Sequence, residues 1–305
     1  QINNYNYIST RNYIQAYAGD FLEVIHYYDE LGRPIEKVQK AFTPQGKDLV
    51  STTLYDGMGR EWQNWLPAPS ANTDGSFVDV ENFKSSQISF HADTKPFSQT
   101  NFELSPGNRI TGLTGAGQLW HSQQKKDSII YSTNVSTEVK HFYVNSQGQL
   151  VINSYYPEAS LYKTTTLDAD GKPGTEFRDK SGRTVLKSST SDVNTALVYN
   201  ELNQLCYVLP PKAYDAFSGN TTIADSHDEL KKYAYLYRYD SRGNCIAKRL
   251  PGCEWVYMVY DKANRMVLSQ DGNMRKKPLK QWMITKYDGL GRVAVTGITS
   301  SLNDT

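Results

Sequence analysis

The residues that could carry catalysis in this chain of 305 residues are scattered rather than grouped. No Walker loop, no G-x-S-x-G nucleophile elbow and no dinucleotide-binding glycine pattern occurs. A glycosidase needs two carboxylates across one cleft, and the spacing of Asp and Glu in this sequence establishes no such pair. None of the histidines has a partner at the spacing of a metal or nucleophile motif: His26, His91, His121, His141 and His227. We therefore expect a protein that is not an enzyme and has no cofactor.

Residues able to bind a metal form an equally weak pattern. The run Asp-Ala-Asp-Gly at 168–171 resembles the opening of a calcium loop, in which oxygens at alternate positions surround the ion. The third oxygen and the closing Glu are missing, so we expect no metal site. The three cysteines lack metal-ligand spacing, and the sequence leaves open whether all are thiols or two form a disulfide: Cys206, Cys245 and Cys253.

Aromatic side chains offer a different chemistry, because their flat faces can stack on sugar rings. Trp62, Trp65 and Trp120 are the candidate residues for such a glycan-stacking site. The alternative is that these rings pack against their neighbours across strands, which stabilises a sheet by about 0.2–1 kcal/mol per pair. A carbohydrate-binding surface predicts two or three of these rings exposed on one sheet face.

The overall composition excludes several partners and favours β-structure. The chain has 33 Lys and Arg against 32 Asp and Glu, a net charge of +1, which provides no basic surface for nucleic acid. No stretch of 18 apolar residues occurs, so we expect no membrane insertion. The 22 tyrosines and a mean hydropathy of −0.60 favour sheets over a helical bundle.

A six-residue unit, aromatic-Asp-x-x-Gly-Arg, repeats along the chain and positions most of these aromatic and acidic residues. Three copies match it fully, and the others keep Asp or Asn at position two and Gly or Asn at position five. Successive units are commonly spaced by 21 to 27 residues, as from Asp179 to Asn200 and from Asp29 to Asp56. The nine copies begin at Tyr28, Tyr55, Val144, Leu167, Arg178, Tyr199, Tyr239, Tyr260 and Tyr287.

The allowed substitutions indicate a hairpin turn. Asp or Asn opening a turn accepts a hydrogen bond from a backbone N–H two residues on, and Gly and Asn best tolerate a positive φ. Each unit therefore predicts the tip of a β-hairpin, a type I turn followed by a left-handed residue. We expect Asn203 and Asn264, which replace Gly, to have positive φ. We expect the Arg at position six to lie over a Tyr ring or to pair with the Asp of a neighbouring hairpin.

Hairpins are marginal alone, so successive units must pair edge to edge in an array. We predict an all-β fold, an array of long antiparallel hairpins that forms a curved, extended sheet. Residues 1–140 would form an N-terminal domain with two such hairpins and an irregular insertion at about 65–140. Residues 141–305 would form the repeat sheet, interrupted at 212–232 by one short helix. A capping box, Ser226 to Glu229, would open that helix.

At these units the sequence resembles the YD-repeat, or Rhs, family of bacterial surface and secreted proteins, named after the Tyr-Asp of the hairpin. This resemblance covers most of the chain. The segments 28–34, 48–50, 105–109 and 117–120 resemble more narrowly a domain of unknown function found upstream of YD repeats. In relatives with many repeats, the resemblance implies hairpins that spiral into a hollow shell around a C-terminal toxic or effector domain.

Nine copies are too few to close such a shell, so we interpret the chain as a segment of a longer protein. The resemblance implies a non-catalytic β-scaffold of a secreted or cell-surface protein, which houses or presents another domain. Its partners would be the remainder of its own parent chain and a C-terminal effector or toxin domain. The alternative hypothesis is a carbohydrate-binding surface module, for which glycans would be the partners.

Overall fold

The computed structural model describes residues 5–13, 21–190 and 193–300. It confirms a mostly β fold of antiparallel strands joined largely by short turns, with five short helices. The chain divides into two compact units. One comprises Gln1–Ile130 with Thr166–Lys172, and the other comprises Tyr131–Thr165 with Pro173–Thr305.

The first unit is built on a ladder of antiparallel strands. Its strands are β1 (Asn6–Tyr13), β2 (Phe21–Tyr28), β3 (Pro34–Gln39), β4 (Leu49–Tyr55), β5 (Glu61–Trp65), β6 (Ala68–Pro69), β7 (Phe97–Phe102), β8 (Ile110–Thr114) and most of β9 (Asp127–Thr133). β1 to β4 pair in chain order, and β4 also pairs with β5 and β6. β5, β7, β8 and β9 continue the ladder. Two helices belong to this unit, α1 (Val80–His91) and α2 (Gln118–Ser122).

The second unit contains a meander of ten strands and a separate sheet of three. Its strands are β10 (Lys140–Val144), β11 (Leu150–Tyr155), most of β12 (Tyr162–Leu167), β13 (Pro173–Arg178), β14 (Thr184–Ser189), β15 (Val193–Tyr199), β16 (Leu205–Leu209), β17 (Asn220–Ile223), β18 (Tyr235–Tyr239), β19 (Cys245–Arg249), β20 (Val256–Tyr260), β21 (Met266–Gln270), β22 (Trp282–Tyr287) and β23 (Val293–Thr299). The meander runs from β13 to β23 without β17, which instead pairs with β11 beside β10. Its helices are α3 (Pro211–Ala216), α4 (Asp228–Tyr233) and α5 (Gly272–Arg275).

Each unit has its own hydrophobic core, formed because alternate side chains of a strand point to one face. In β3, Glu36 and Val38 point inward while Lys37 is exposed. The core of the first unit consists of Ile25, Tyr27, Val38, Val50, Trp65, Phe83 and Phe97. The larger core of the second unit includes Leu150, Ile152, Leu186, Tyr207, Leu209, Leu230 and Leu236.

All nine predicted units lie at turns, which confirms the hairpin assignment. In every copy the N–H at position two donates to the carbonyl at position six, and the N–H at position five donates to the carbonyl at position two. Asn203 and Asn264 have φ of 62° and 59°, as the substitution pattern predicts. These left-handed residues produce a bulge that matches the right-handed twist of the strands.

The prediction of one short helix and an irregular insertion was wrong. The insertion contains α1, the longest helix among the described residues at 12 residues, and the strands β7, β8 and β9. The helix has only Phe83 and Gln87 as buried residues, so its sequence shows little of the helical repeat in hydrophobicity. Its start is fixed by Asp79, whose carboxylate accepts the N–H groups of Glu81 and Asn82.

The passage at 212–232 also differs from the prediction. It contains parts of two short helices with the strand β17 between them. His227, rather than Ser226, caps α4, because its Nδ1 accepts the N–H of Glu229 at 3.2 Å. The predicted capping box is therefore displaced by one residue and uses an imidazole.

The left-handed turn position allows a direct test of the hairpin geometry. Gly291 has φ of 81° and Gly289 in the same turn does not have positive φ; a Cβ at Gly289 would meet nothing within 4 Å. We expect Gly291→Ala to lower the free energy of unfolding by about 1–2 kcal/mol, because a side chain strains the left-handed region. Gly289→Ala should change it by less than about 0.5 kcal/mol. Chemical denaturation of both variants measures the difference, and equal losses would contradict the strain argument.

Candidate functional site: the ladder of hairpin tips

The side chain at position two organises each turn. The Asp261 carboxylate accepts the backbone N–H groups of Ala263 and Arg265 through one oxygen, at 2.8 and 3.0 Å. Its other oxygen accepts the Arg265 guanidinium Nε at 2.8 Å. The same three contacts occur at Asp29, Asp56, Asp179 and Asp288. One carboxylate thus satisfies two turn amides and binds the Arg that starts the return strand.

Copies that lack the Asp–Arg pair replace both partners together. Asn145 and Asn200 accept the same turn amides through Oδ1, while their Nδ2 groups donate to Gln149 and Gln204 at 3.1 and 2.7 Å. An uncharged amide pair therefore occupies the place of the ion pair. The turn requires an acceptor at position two and a complementary side chain at position six, but it does not require charge.

These contacts also change the acidity of the turn carboxyls. Hydrogen bonds from the backbone N–H and the guanidinium of Arg265 lower the pKa of Asp261 below its ordinary value. The pKa values of four further turn carboxyls are lowered by the corresponding contacts: Asp29, Asp56, Asp240 and Asp288. Because the native pKa is depressed, this stabilisation is present above the ordinary pKa of about 4 and is lost as the pH falls through the native pKa.

Neighbouring hairpins are joined by the Arg at position six and the aromatic ring that opens the next unit. The Arg265 guanidinium lies over the Tyr287 ring, 4.9 Å from its centroid, and Arg33 lies 4.4 Å from that of Tyr55. Arg183 and Arg60 lie over Tyr199 and Phe102 in the same way. The predicted ring contact is confirmed, whereas the ion pair forms with the Asp of the same hairpin.

The tyrosine hydroxyl adds a second link between neighbours and explains why Tyr is so frequent. Tyr287 donates its hydroxyl to the Met266 carbonyl at 3.0 Å, the residue just after Arg265 of the preceding hairpin. The equivalent carbonyls accept the hydroxyls of Tyr55, Tyr239 and Tyr260. Position one therefore uses both the face of the ring and its polar end.

The structure reveals a tenth hairpin that the sequence analysis missed. Between β7 and β8, Glu103 takes the place of Asp, and its N–H donates to the Arg109 carbonyl at 2.9 Å. The Arg109 guanidinium binds the Glu103 carboxylate and lowers its pKa to about 2. Asn108 supplies the left-handed residue with φ of 51°. The missed signal was an aromatic-acid pair at 102–103 and Asn-Arg at 108–109, two residues farther apart than in the other units.

The three tryptophans proposed to stack on glycans do not form one exposed row. Trp65 is 7% exposed and packs against Phe83 and Phe97, with ring centroids at 6.0 and 4.8 Å. Its faces are consequently unavailable to a sugar, which corrects its assignment. Trp62 is 39% exposed on β5, where strand alternation points it to the opposite face from Trp65. Trp120 is 42% exposed and lies on α2 rather than on a strand.

The other candidate chemistry of the sequence has structural partners. Asp168 accepts the N–H groups of Asp170 and Lys172 and forms a hairpin tip. Among the described residues, no three His, Cys, Asp or Glu side chains are placed to hold a metal ion. The three cysteines are free thiols in this structure. Within the described ranges, no helix has the length and apolar composition needed to cross a membrane.

A buried carboxyl lies beneath the ladder of the first unit. Glu36 is 3% exposed, and its Oε1 accepts the Val78 N–H at 3.0 Å, while Oε2 has no hydrogen-bond partner among the described residues. It is the register partner of Tyr27 on β2 and of Thr52 on β4. Burial raises the pKa of Glu36 to about 8, because the charged form loses its hydration.

Glu36 should make the stability of the first unit depend on pH. Between about pH 4 and 8 the native carboxyl retains a proton that the unfolded chain releases, so the free energy of unfolding should fall as the pH rises. The slope contributed by one proton is at most about 1.4 kcal/mol per pH unit. Glu36→Gln should remove this slope, whereas Glu61→Gln at an exposed site should not. Denaturation at several pH values measures it, and an unchanged slope in Glu36→Gln would contradict a neutral buried carboxyl.

The contact between hairpins can be tested by comparing two arginines that make the same ion pair. Arg292 binds Asp288 as Arg265 binds Asp261, but among the described residues no ring lies over Arg292. We expect Arg265→Ala to cost about 0.5–1 kcal/mol more than Arg292→Ala, which is the contribution of the ring contact. A double-mutant cycle with Tyr287→Leu should recover a similar coupling energy. A coupling near zero would show that the ring contact contributes nothing.

The comparison with protein families covers less than half of the chain. Residues 2–133 match a family model described as a domain of unknown function, DUF6443. No curated protein sequence matches the chain.

Several solved toxin structures share the fold. The crystal structure of TcdB2-TccC3 without its hypervariable C-terminal region aligns over 98% of this chain with 12% identity and a TM-score of 0.58. TcdB2-TccC3-TEV aligns over 98% with 13% identity and a TM-score of 0.59. A Photorhabdus luminescens Tc holotoxin pore with a point mutation in TccC3 aligns over 99%, with 13% identity and a TM-score of 0.57.

At these identities the likeness shows the fold alone. The present chain spans only 13% or 14% of the length of the solved chains that it matches. Nearly the whole of this chain therefore shares its fold with a small part of these toxin structures.

Proposed function

We propose that this chain is a non-catalytic β-scaffold segment of a secreted or cell-surface protein of the YD-repeat, or Rhs, type. Its role is to house or present another domain of the same parent polypeptide. A C-terminal effector or toxin domain is the partner of this kind that the resemblance favours. The hairpin tips hold the scaffold together and are not a site of chemistry.

The observation that carries this proposal is the repeated link between neighbouring hairpins. Turn carboxylates are engaged by turn amides and Arg, as in Asp56 with Arg60, and that Arg lies against the ring of the next unit. Side chains used in this way stiffen a sheet and leave little for catalysis. The fold likeness to a small part of TcdB2-TccC3 supports a segment of a larger assembly.

The last described strand supports continuation of the sheet. β23 pairs with β22, and no other described strand is its partner. It exposes three branched apolar side chains, with exposed fractions of 58%, 55% and 60%: Val293, Val295 and Ile298. An open edge of this kind presents unpaired backbone groups that a further strand can bind. We infer that the following repeats of the parent chain cover it.

Hydrogen exchange tests this proposal in the parent polypeptide. We expect amides of β23 to exchange at least about tenfold more slowly in the parent than in the chain of 305 residues, because an added strand binds its free edge. The interior strand β21 is the control and should exchange equally in both. Equal exchange of β23 in the two proteins would contradict a continuing scaffold.

The carbohydrate-binding alternative rests on the exposed rings of Trp62 and Trp120. A glycan array probed with the wild-type chain and with Trp62→Ala and Trp120→Ala separates the two proposals. Binding that both variants lose would favour the carbohydrate-binding module. Absence of binding, together with slowed exchange in β23, would favour the scaffold.

A further inference from the structure

A cavity of about 580 Å³ lies in the first unit beside α1. Helix α1, strand β6 and the loop segment 70–79 supply most of its lining. Apolar walls come from Val50, Ala68, Phe77, Val78 and Phe83. This volume falls within the range of pockets that hold small ligands or short peptide segments.

Gln87 provides an unusual polar group in this lining. It is 1% exposed and lies one helical turn after Phe83, on the buried face of α1. Neither its Oε1 nor its Nε2 has a hydrogen-bond partner among the described residues. Buried polar groups in native proteins are nearly always paired, so an unpaired amide beside a cavity indicates a missing partner. The terminal torsion of Gln is broad, which allows the amide to turn toward the cavity.

The charges around the cavity restrict the ligand. No Lys, Arg or His is among its lining residues, and Asp79 is the one carboxylate there. That carboxylate is engaged by the N–H groups of Glu81 and Asn82 at the start of α1. A phosphate, carboxylate or ammonium group would find no counter-charge. The ligand should be neutral, with an apolar part and an adjacent donor and acceptor.

We propose that this cavity is a binding site for an extended, uncharged peptide segment, a function separate from the scaffold. In an extended chain the N–H and C=O of one residue point to the same side, as in the hydrogen-bonded pairs of antiparallel strands. Gln87 can accept from that N–H through Oε1 and donate to that C=O through Nε2. The neighbouring apolar side chain of the peptide then lies against Phe77 and Phe83.

The test uses the full chain of 305 residues and the capped tripeptide N-acetyl-Ala-Leu-Ala-amide as probe. NMR titration should detect binding to the wild-type chain. Gln87→Met keeps the side-chain volume and removes the amide, so it should weaken binding by about tenfold or more. The melting temperature of this variant without peptide should be unchanged or higher, because an unpaired buried amide is removed. Ala71→Trp, at the exposed mouth of the cavity, should also prevent binding.

Gln63→Met is the matched control. Gln63 is also buried, at 7% exposure, but it does not line the cavity and it already accepts from the Trp65 indole N–H. Its substitution should leave peptide affinity unchanged whatever its effect on melting. Equal affinity of the wild type and Gln87→Met, no binding by the folded wild type, or binding of an N-acetylglucosamine trisaccharide in place of the peptide would overturn the proposal. None of these outcomes bears on hydrogen exchange in β23, so the two proposals fail independently.

Discussion

The hairpins depend on one side-chain oxygen at the second position of each unit, which accepts two backbone N–H groups of the turn. At Asp56 this oxygen holds the amides of Met58 and Arg60, at 2.9 and 3.0 Å. Local contacts of this kind compete well with other backbone arrangements, because donor and acceptor are only two and four residues apart. The register of the following strand pair is then determined by the turn and its bulge.

The same unit also carries the contacts that turn separate hairpins into a sheet. Arg33 binds Asp29 within its own turn and stacks on Tyr55 of the next, while the Tyr55 hydroxyl returns to the Pro34 carbonyl. Each contact is exposed or half-buried and individually weak. Their repetition matters because a single hairpin is marginal in water and gains stability only from its neighbours. This arrangement accounts for the frequent Tyr and for the position of Arg directly after the left-handed residue.

Beneath the ladder, the first unit contains polar groups that a purely structural core would avoid. Glu36 and Gln87 are almost completely buried and each has an atom without a hydrogen-bond partner among the described residues. Unpaired buried polar atoms lower stability, so their presence is informative. Glu36 couples the first unit to pH, whereas Gln87 lies beside a cavity and provides the chemistry for a ligand. The rigid ladder and the polar cavity wall are thus distinct features of one unit.

The sequence by itself determined the hairpin tips, because the turn is specified by contacts within six residues. The exchange of Gly for Asn at 203 and 264 was enough to predict positive φ. It did not reveal α1, whose few buried residues leave almost no helical repeat, or the tenth hairpin, whose turn between Glu103 and Arg109 is longer. Only the tertiary structure decided that Trp65 is buried and that Gln87 lies beside a cavity. Burial depends on which distant strands and helices cover a side chain, and residue type alone carries no record of that covering.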